Sequence, residues 1–314
     1  MTDLLIGGAG FIGAHLARQL LAESQDVAVY DRDIRHGPIV ELLGAEELSR
    51  LRLVAGDVTD SVHLSRTVAQ IQPRRIVHLA ATLTPAGQAD PATAVRVMTL
   101  GTMHVLEAVR LFGIERLVWA SSAQVFGPLD RYRQRHPVER IFDDSTPDPT
   151  TIYGACKAHA ERLAAHYAEA WGLDITGLRP CGTLGRGRRG GAIFEVFELV
   201  QRVARREPAA VKRADWVFPL MHVSDVVGGF QAALRRPQRG DGRTYNLGAI
   251  HTTFRQLASL VQEMVPDATI EIEGCTAKPT ALLDASGIER DLGFKLQHTL
   301  EQSVEELLKD AAVS

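Results

Sequence analysis

The chain has 314 residues, 45% hydrophobic and 23% charged, enough to bury a full core as one large α/β unit or as two lobes. Its formal net charge of −3 gives no electrostatic reason to expect nucleic acid or a membrane surface as partner. Three scattered cysteines (Cys156, Cys181, Cys275) point to reduced thiols in a cytoplasmic protein, and neither a membrane-length apolar run nor a signal peptide is expected.

Taken in chain order, Leu4-Leu5-Ile6 is a short apolar strand that runs into Gly7-Gly8-Ala9-Gly10-Phe11-Ile12-Gly13, and Phe11 to Ala22 has helical spacing. Glycines at 7, 10 and 13, placed between a strand and a helix, allow a tight turn. They also let backbone N–H groups at the helix start approach a pyrophosphate. Val27 to Tyr30 is a second strand and ends at Asp31, 18 residues after Gly13. A carboxylate there accepts hydrogen bonds from an adenosine ribose and repels a 2′-phosphate, which favours NAD over NADP, although Arg32 and Arg35 follow at once. Arg52 to Ala55 is a third strand, followed by Asp57, which either faces an adenine or forms a turn. Arg75 to Leu79 and Arg116 to Ala120 are the fourth and fifth strands, with a helix over Ala92 to Phe112 between them. Short apolar strands alternating with helices indicate a Rossmann-type, doubly wound parallel sheet.

Ser121 and Ser122 close the fifth strand, at the carboxyl edge where such sheets bind ligands. A long helix over Thr151 to Trp171 carries Tyr153 and Lys157, and a strand follows over Leu173 to Leu178. Beyond Arg179 the pattern changes. A Gly/Arg-rich loop spans Gly182 to Gly191, then come a helix near Ala192 to Arg205 and strands near Trp216 to Val223 and Arg243 to Leu247. The last helix covers Leu300 to Ala311, with Thr299 and Gln302 forming a capping box. This organisation suggests a dinucleotide-binding domain over residues 1–179, to which segments near 216–248 return, and a smaller, mainly substrate-binding lobe over 180–314.

Tyr153 and Lys157 are the most informative pair. The chain has five tyrosines and five lysines, and Lys157 is the only lysine before position 212. Chance would place a lysine four residues after a tyrosine about 0.08 times in such a chain. Residues i and i+4 share a helix face. A phenol with a pKa near 10 is a poor base at neutral pH, and a fixed positive charge beside it favours the phenolate. Lysine is also compact enough to hold a ribose hydroxyl at the same time.

Together these segments resemble the extended short-chain dehydrogenase/reductases, the NAD-dependent epimerase/dehydratase family, over essentially the whole length. The matching strings are GGAGFIG (7–13), GDVTD (56–60), HLAA (78–81), SSAQVFG (121–127), YGACK (153–157), LRP (178–180), HVSDVV (222–227) and YNLG (245–248). The resemblance implies bound NAD and a catalytic set of Ser122, Tyr153 and Lys157, with Tyr153 as general acid/base and Ser121 facing the other way. It further implies cofactor contacts from Gly7, Gly10, Phe11, Ile12, Gly13, Asp31, Arg32, Asp57, Val58, Leu79, Ala80, Ala81, Tyr153, Lys157 and Pro180. A homodimer formed through the helices around Ala92 to Phe112 and Thr151 to Trp171 is a further implication.

Departures from the family pattern bear on substrate. Ala123-Gln124 stand where sugar dehydratases carry an acidic pair, so dehydration is not expected. Gly182 and Phe218 stand where nucleotide-sugar enzymes usually place an asparagine and an arginine, which makes the pocket more apolar. Arg131, Arg133, Arg135 and Arg140 lie between the serine and the tyrosine, either as a lid for an anionic substrate or as a solvated loop. Arg186, Arg188 and Arg189 carry the same two readings, and Cys156 reads as an inward-facing helix residue. The expectation is an NAD-dependent oxidoreductase acting at a secondary alcohol or ketone of a small polar or sugar-like molecule, with no metal. The alternatives are a nucleotide-sugar epimerase and, from another class, a non-catalytic NAD-binding regulator.

Overall fold

A computed structural model describes residues 2–133, 139–188, 190–191, 193–276 and 282–313, so Arg135 and Arg189 lie outside the described residues. The strands of the main sheet are β1 (Thr2–Ile6), β2 (Asp26–Asp31), β3 (Arg52–Ala55), β4 (Arg75–His78), β5 (Arg116–Ala120), β6 (Ile175–Arg179) and β7 (Thr244–Asn246). All pair in parallel, in the spatial order β7-β6-β5-β4-β1-β2-β3. The order reverses at β1, which has β2 on one side and β4 on the other. Such a switch point opens a crevice at the carboxyl ends of the strands.

Side-chain alternation assigns the strand residues to two apolar layers. Leu5, Val29, Val77 and Val118 pack with the helices Phe11–Ala22 and Val223–Arg235. Leu4, Ile6, Ile76, Leu117 and Trp119 pack with Ser61–Ile71, Gly101–Phe112 and the long helix Ile152–Trp171. Burial on both faces explains why these strands read as continuous apolar runs rather than as alternating ones.

The expected helix over Ala92 to Phe112 is interrupted. Pro91–Val95 passes through a π-helical turn, Arg96–Leu100, into Gly101–Phe112. The turn sits where the helix crosses the crevice, a common setting for such turns. Gly101 is needed there, since a Cβ would lie 2.8 Å from Cγ1 of Val58.

After β6 the chain leaves the main sheet. Val217–His222 pairs with Gly182–Leu184 and Ile250–Thr253 in a three-stranded sheet, so of the segments near 216–248 it is the helix Val223–Arg235 and β7 that pack on or join the main sheet. A separate apolar cluster, including Phe197, Val200, Phe218, Phe254 and Leu257, holds this second region together. Thr299 and Gln302 form the capping box at the last helix, Leu300–Val313, through bonds of 2.9 and 3.2 Å. No described helix is long and apolar enough to cross a membrane.

Candidate active site

The turn after β1 is built around glycine. Gly7 has φ +79°, in the left-handed region, and a Cβ there would fall on the backbone of Ala80 after β4. At Gly13 a Cβ would sit 2.5 Å from Cα of Gly8, so glycine is what lets the helix pack against the turn. The helix that opens at Phe11 has Gly10 as its N-cap and no capping side chain. Its first N–H groups, with the helix dipole behind them, are therefore available to an anion.

Asp31 at the end of β2 closes over this turn. Its carboxylate accepts from Ala9 N at 3.0 Å and Asp33 N at 3.3 Å. Burial pushes its pKa up, against these backbone donors. Arg32 beside it is exposed. Asp57 is held by Thr59 N and Oγ1, both at 2.8 Å, and these bonds keep it below the usual carboxylate range.

At the other end of the crevice, β5 delivers two serines with different roles. Ser121 Oγ donates to Glu161 at 2.5 Å, beneath the site. Ser122 Oγ accepts from Gln124 N at 3.2 Å, which leaves its own proton to be donated elsewhere. The long helix is capped by Thr151, whose Oγ1 accepts from Gly154 N at 3.0 Å. Gly154 is tight against the carbonyl of Gln124, so glycine between Tyr153 and Lys157 lets the helix approach the serine loop. Lys157 is buried, and its Nζ donates to Ala120 O at 2.6 Å and lies 5.9 Å from the Tyr153 ring centroid.

All these elements face one cavity of about 920 Å³. Its walls include every expected residue: Gly7, Gly10, Phe11, Ile12, Gly13, Asp31, Arg32, Asp57, Val58, Leu79, Ala80, Ala81, Ser122, Tyr153, Lys157 and Pro180. The far wall adds Gly182, Arg213, Trp216, Phe218 and Phe254. Phe218 stacks on Phe254 at 4.2 Å, and Arg213 lies 4.6 Å from the Trp216 ring centroid. Among the described residues, Arg131, Arg133 and Arg140 are not part of the walls. Arg131 pairs with Asp148 and Arg140 with Asp284, while Leu129 and Tyr132 anchor the segment among Val125, Phe126, Ile141 and Leu283. Cys156 is buried against Ala94 and Met98, as an inward-facing residue.

Burial raises the Tyr153 pKa, and hydrogen bonding with Ser122 and the charge of Arg188 oppose that rise. Burial brings Lys157 down to about 8, with Glu161 pulling the other way. One of the three Lys157 ammonium donors is engaged by Ala120 O, which fixes the side chain in place.

Behind Lys157, His78 is buried and bonded through Nε2 to Thr102 Oγ1 at 3.0 Å. Because Thr102 donates to Met98 O, His78 Nε2 is the protonated nitrogen. Burial, aided by Lys157, lowers its pKa from 6.5 to about 3. The unfolded chain therefore takes up a proton between these values that the folded one refuses, and stability falls as pH drops through 6.5. Between pH 7 and 5 this costs on the order of 2 kcal/mol. In His78→Gln the urea midpoint should fall less over that interval; equal falls in the two proteins would count against this.

A family profile described as the NAD dependent epimerase/dehydratase family matches residues 4–248. The chain belongs to that family. UDP-glucose 4-epimerase of Mycolicibacterium smegmatis is 30% identical over 270 residues, spanning 83% of this chain and 82% of the relative. Mitochondrial L-threonine 3-dehydrogenase of Bos taurus is 26% identical over 322 residues, spanning 97% and 81%. The crystal structure of Thermus thermophilus UDP-glucose 4-epimerase complexed with NAD superimposes with a TM-score of 0.82 at 26% identity, covering 98% and 99% of the two chains. This chain is thus an NAD-dependent enzyme of the short-chain dehydrogenase/reductase type, and its cofactor is NAD. The residues present fit that group: the uncapped helix start would hold the diphosphate, and the Asp31 carboxylate at the end of β2 would hold the ribose.

Sequence reasoning missed Glu161, Arg179 and Arg213. Glu161 was within reach, because it follows Lys157 by one helical turn and ion pairs with the arginine of the LRP string. Arg213 had no local signal.

Proposed function

We propose that this enzyme transfers hydride at a secondary alcohol or ketone of a small polar substrate, using Ser122, Tyr153 and Lys157. The convergence of these three side chains on the glycine-turn cavity carries the reading. The Tyr153 phenol moves the proton of the reacting hydroxyl. Ser122, with its proton free to donate, orients that oxygen and steadies the phenolate. Lys157, fixed on Ala120 O, presents its ammonium to the nicotinamide ribose. When bound, NAD supplies the hydride acceptor or donor.

Net oxidation or reduction is favoured over epimerisation of a nucleotide sugar. Gly182 offers no side chain, and its Cβ would collide with Pro219 O, so the strand pairing there demands glycine. Phe218 is buried against Phe254. Neither position supplies a polar grip on a nucleotide diphosphate. The relative named as mitochondrial L-threonine 3-dehydrogenase is similar over 97% of this chain. The epimerase reading is favoured instead by the UDP-glucose 4-epimerase of M. smegmatis at 30% identity.

We also infer a homodimer in the cytoplasm: Leu111, Phe112 and Trp171 are exposed at the ends of the two long helices, and all three cysteines are free.

To test the reaction, nucleotide released by acid is identified. NAD is then added with a panel of hydroxy acids, sugars and UDP-sugars while absorbance of the reduced cofactor is followed. Steady reduction with one alcohol class is expected. Interconversion of UDP-sugars without net reduction would establish the epimerase instead.

A further inference from the structure

Four cationic side chains stand in the cavity wall among the described residues: Arg32, Lys157, Arg188 and Arg213. Arg32 is exposed and solvated. Lys157 donates to Ala120 O and feels the charge of Glu161. Arg213 is neutralised by Glu195 at 2.7 Å. Arg188 is half-buried, and no carboxylate partner for it occurs among the described residues. Its Nε donates to Gly190 O at 2.6 Å, which leaves the outer N–H groups of the fork unspent.

The seat of this guanidinium is specific. Gly191 has φ +104°, and a Cβ there would overlap Nη2 of Arg188. On its other side the guanidinium lies 5.5 Å from the Phe11 ring centroid. A half-buried cation without a counter-ion costs free energy unless a ligand completes it.

We propose that Arg188 is a specificity-determining residue that receives a carboxylate of the substrate beside Tyr153, making hydroxy or oxo carboxylates the substrate class. This rests on the hydride-transfer reading above. The planar fork matches a carboxylate in bidentate fashion. One guanidinium with no carboxylate partner among the described residues suits one carboxylate group. A nucleotide diphosphate would call for more, and Arg213, the other arginine on the far side, is already paired. Arg188 and Tyr153 line the same cavity, and the Arg188 charge acts to lower the Tyr153 pKa. A carboxylate held by Arg188 would therefore lie in the cavity that holds the proton-transfer group.

Calorimetric titration tests this without relying on turnover. NAD, then malonate as a non-reacting carboxylate, is titrated into wild type and Arg188→Gln. Malonate should bind NAD-loaded wild type and bind the variant about 10- to 100-fold more weakly, with NAD affinity little changed. Equal malonate affinity, or no malonate binding to wild type, overturns the assignment. So does an equal loss of NAD affinity, which would make the cofactor diphosphate the partner of Arg188. In a second arm, the preference of wild type for 3-hydroxybutyrate over its neutral amide, as the ratio of kcat/KM, should shrink about tenfold or more in the variant. An unchanged ratio also overturns it. If wild type turns over no alcohol of any class, the hydride-transfer reading fails, while malonate still decides the role of Arg188.

Discussion

Tyr153→Phe is expected to lower kcat by about 10²–10⁴-fold while NAD binds nearly as before. The ring remains to fill the wall of the crevice, and the glycine turn and Asp31, proposed to hold the far end of the cofactor, are untouched. What disappears is the proton carrier. The Tyr153 phenol is held up by burial and brought down by Ser122 and Arg188. Stopped-flow measurement of hydride transfer together with NAD titration checks this. A variant with wild-type turnover would remove Tyr153 from the chemistry.

The second large effect is on stability. Glu161 and Arg179 form a buried pair with two bonds of 2.8 Å, their side chains 8% and 4% exposed. Glu161 also accepts from Ser121, and Arg179 reaches Asp143 O and Asn246 Oδ1. The pair thus joins the catalytic helix, β5, β6, β7 and the segment leading to Tyr153. Glu161→Ala leaves a buried guanidinium without its counter-ion and should cost about 3–5 kcal/mol. Glu161→Gln keeps the shape and serves if the alanine variant does not fold. Combining Glu161→Leu with Arg179→Met should recover much of the loss, because no charge is then stranded. Guanidinium denaturation measures all three, and an alanine variant within about 1 kcal/mol of wild type would refute the argument. Loss of Glu161 also removes the influence that raises Lys157, so the Lys157 pKa should fall further below about 8.

Much of the frame was legible because its signals are local. The strand–glycine–helix turn at residues 7–13, Asp31 at a strand end and the one-turn spacing of Tyr153 and Lys157 each lie within a few residues of sequence. Parallel strands covered on both faces are apolar throughout, which made β1, β2, β4, β5 and β6 readable. The π-helical turn at Arg96–Leu100 was not readable, because periodicity cannot register a single wide turn. Val217–His222 illustrates another limit: its strand character is local, but its partners at 182–184 and 250–253 are chosen by the tertiary fold.

The sequence by itself therefore determined the Rossmann-type sheet, the glycine turn at residues 7–13 and the serine, tyrosine and lysine that line the cavity, because local spacing and backbone demands specify them. Tertiary structure decided which charges act on them. It gave Lys157 to a backbone carbonyl, Glu161 to Arg179 and Arg213 to Glu195, and it placed Arg188 in the cavity wall with no carboxylate partner among the described residues. Such choices depend on burial and on contacts between residues distant in the chain, and neither composition nor periodicity carries that information.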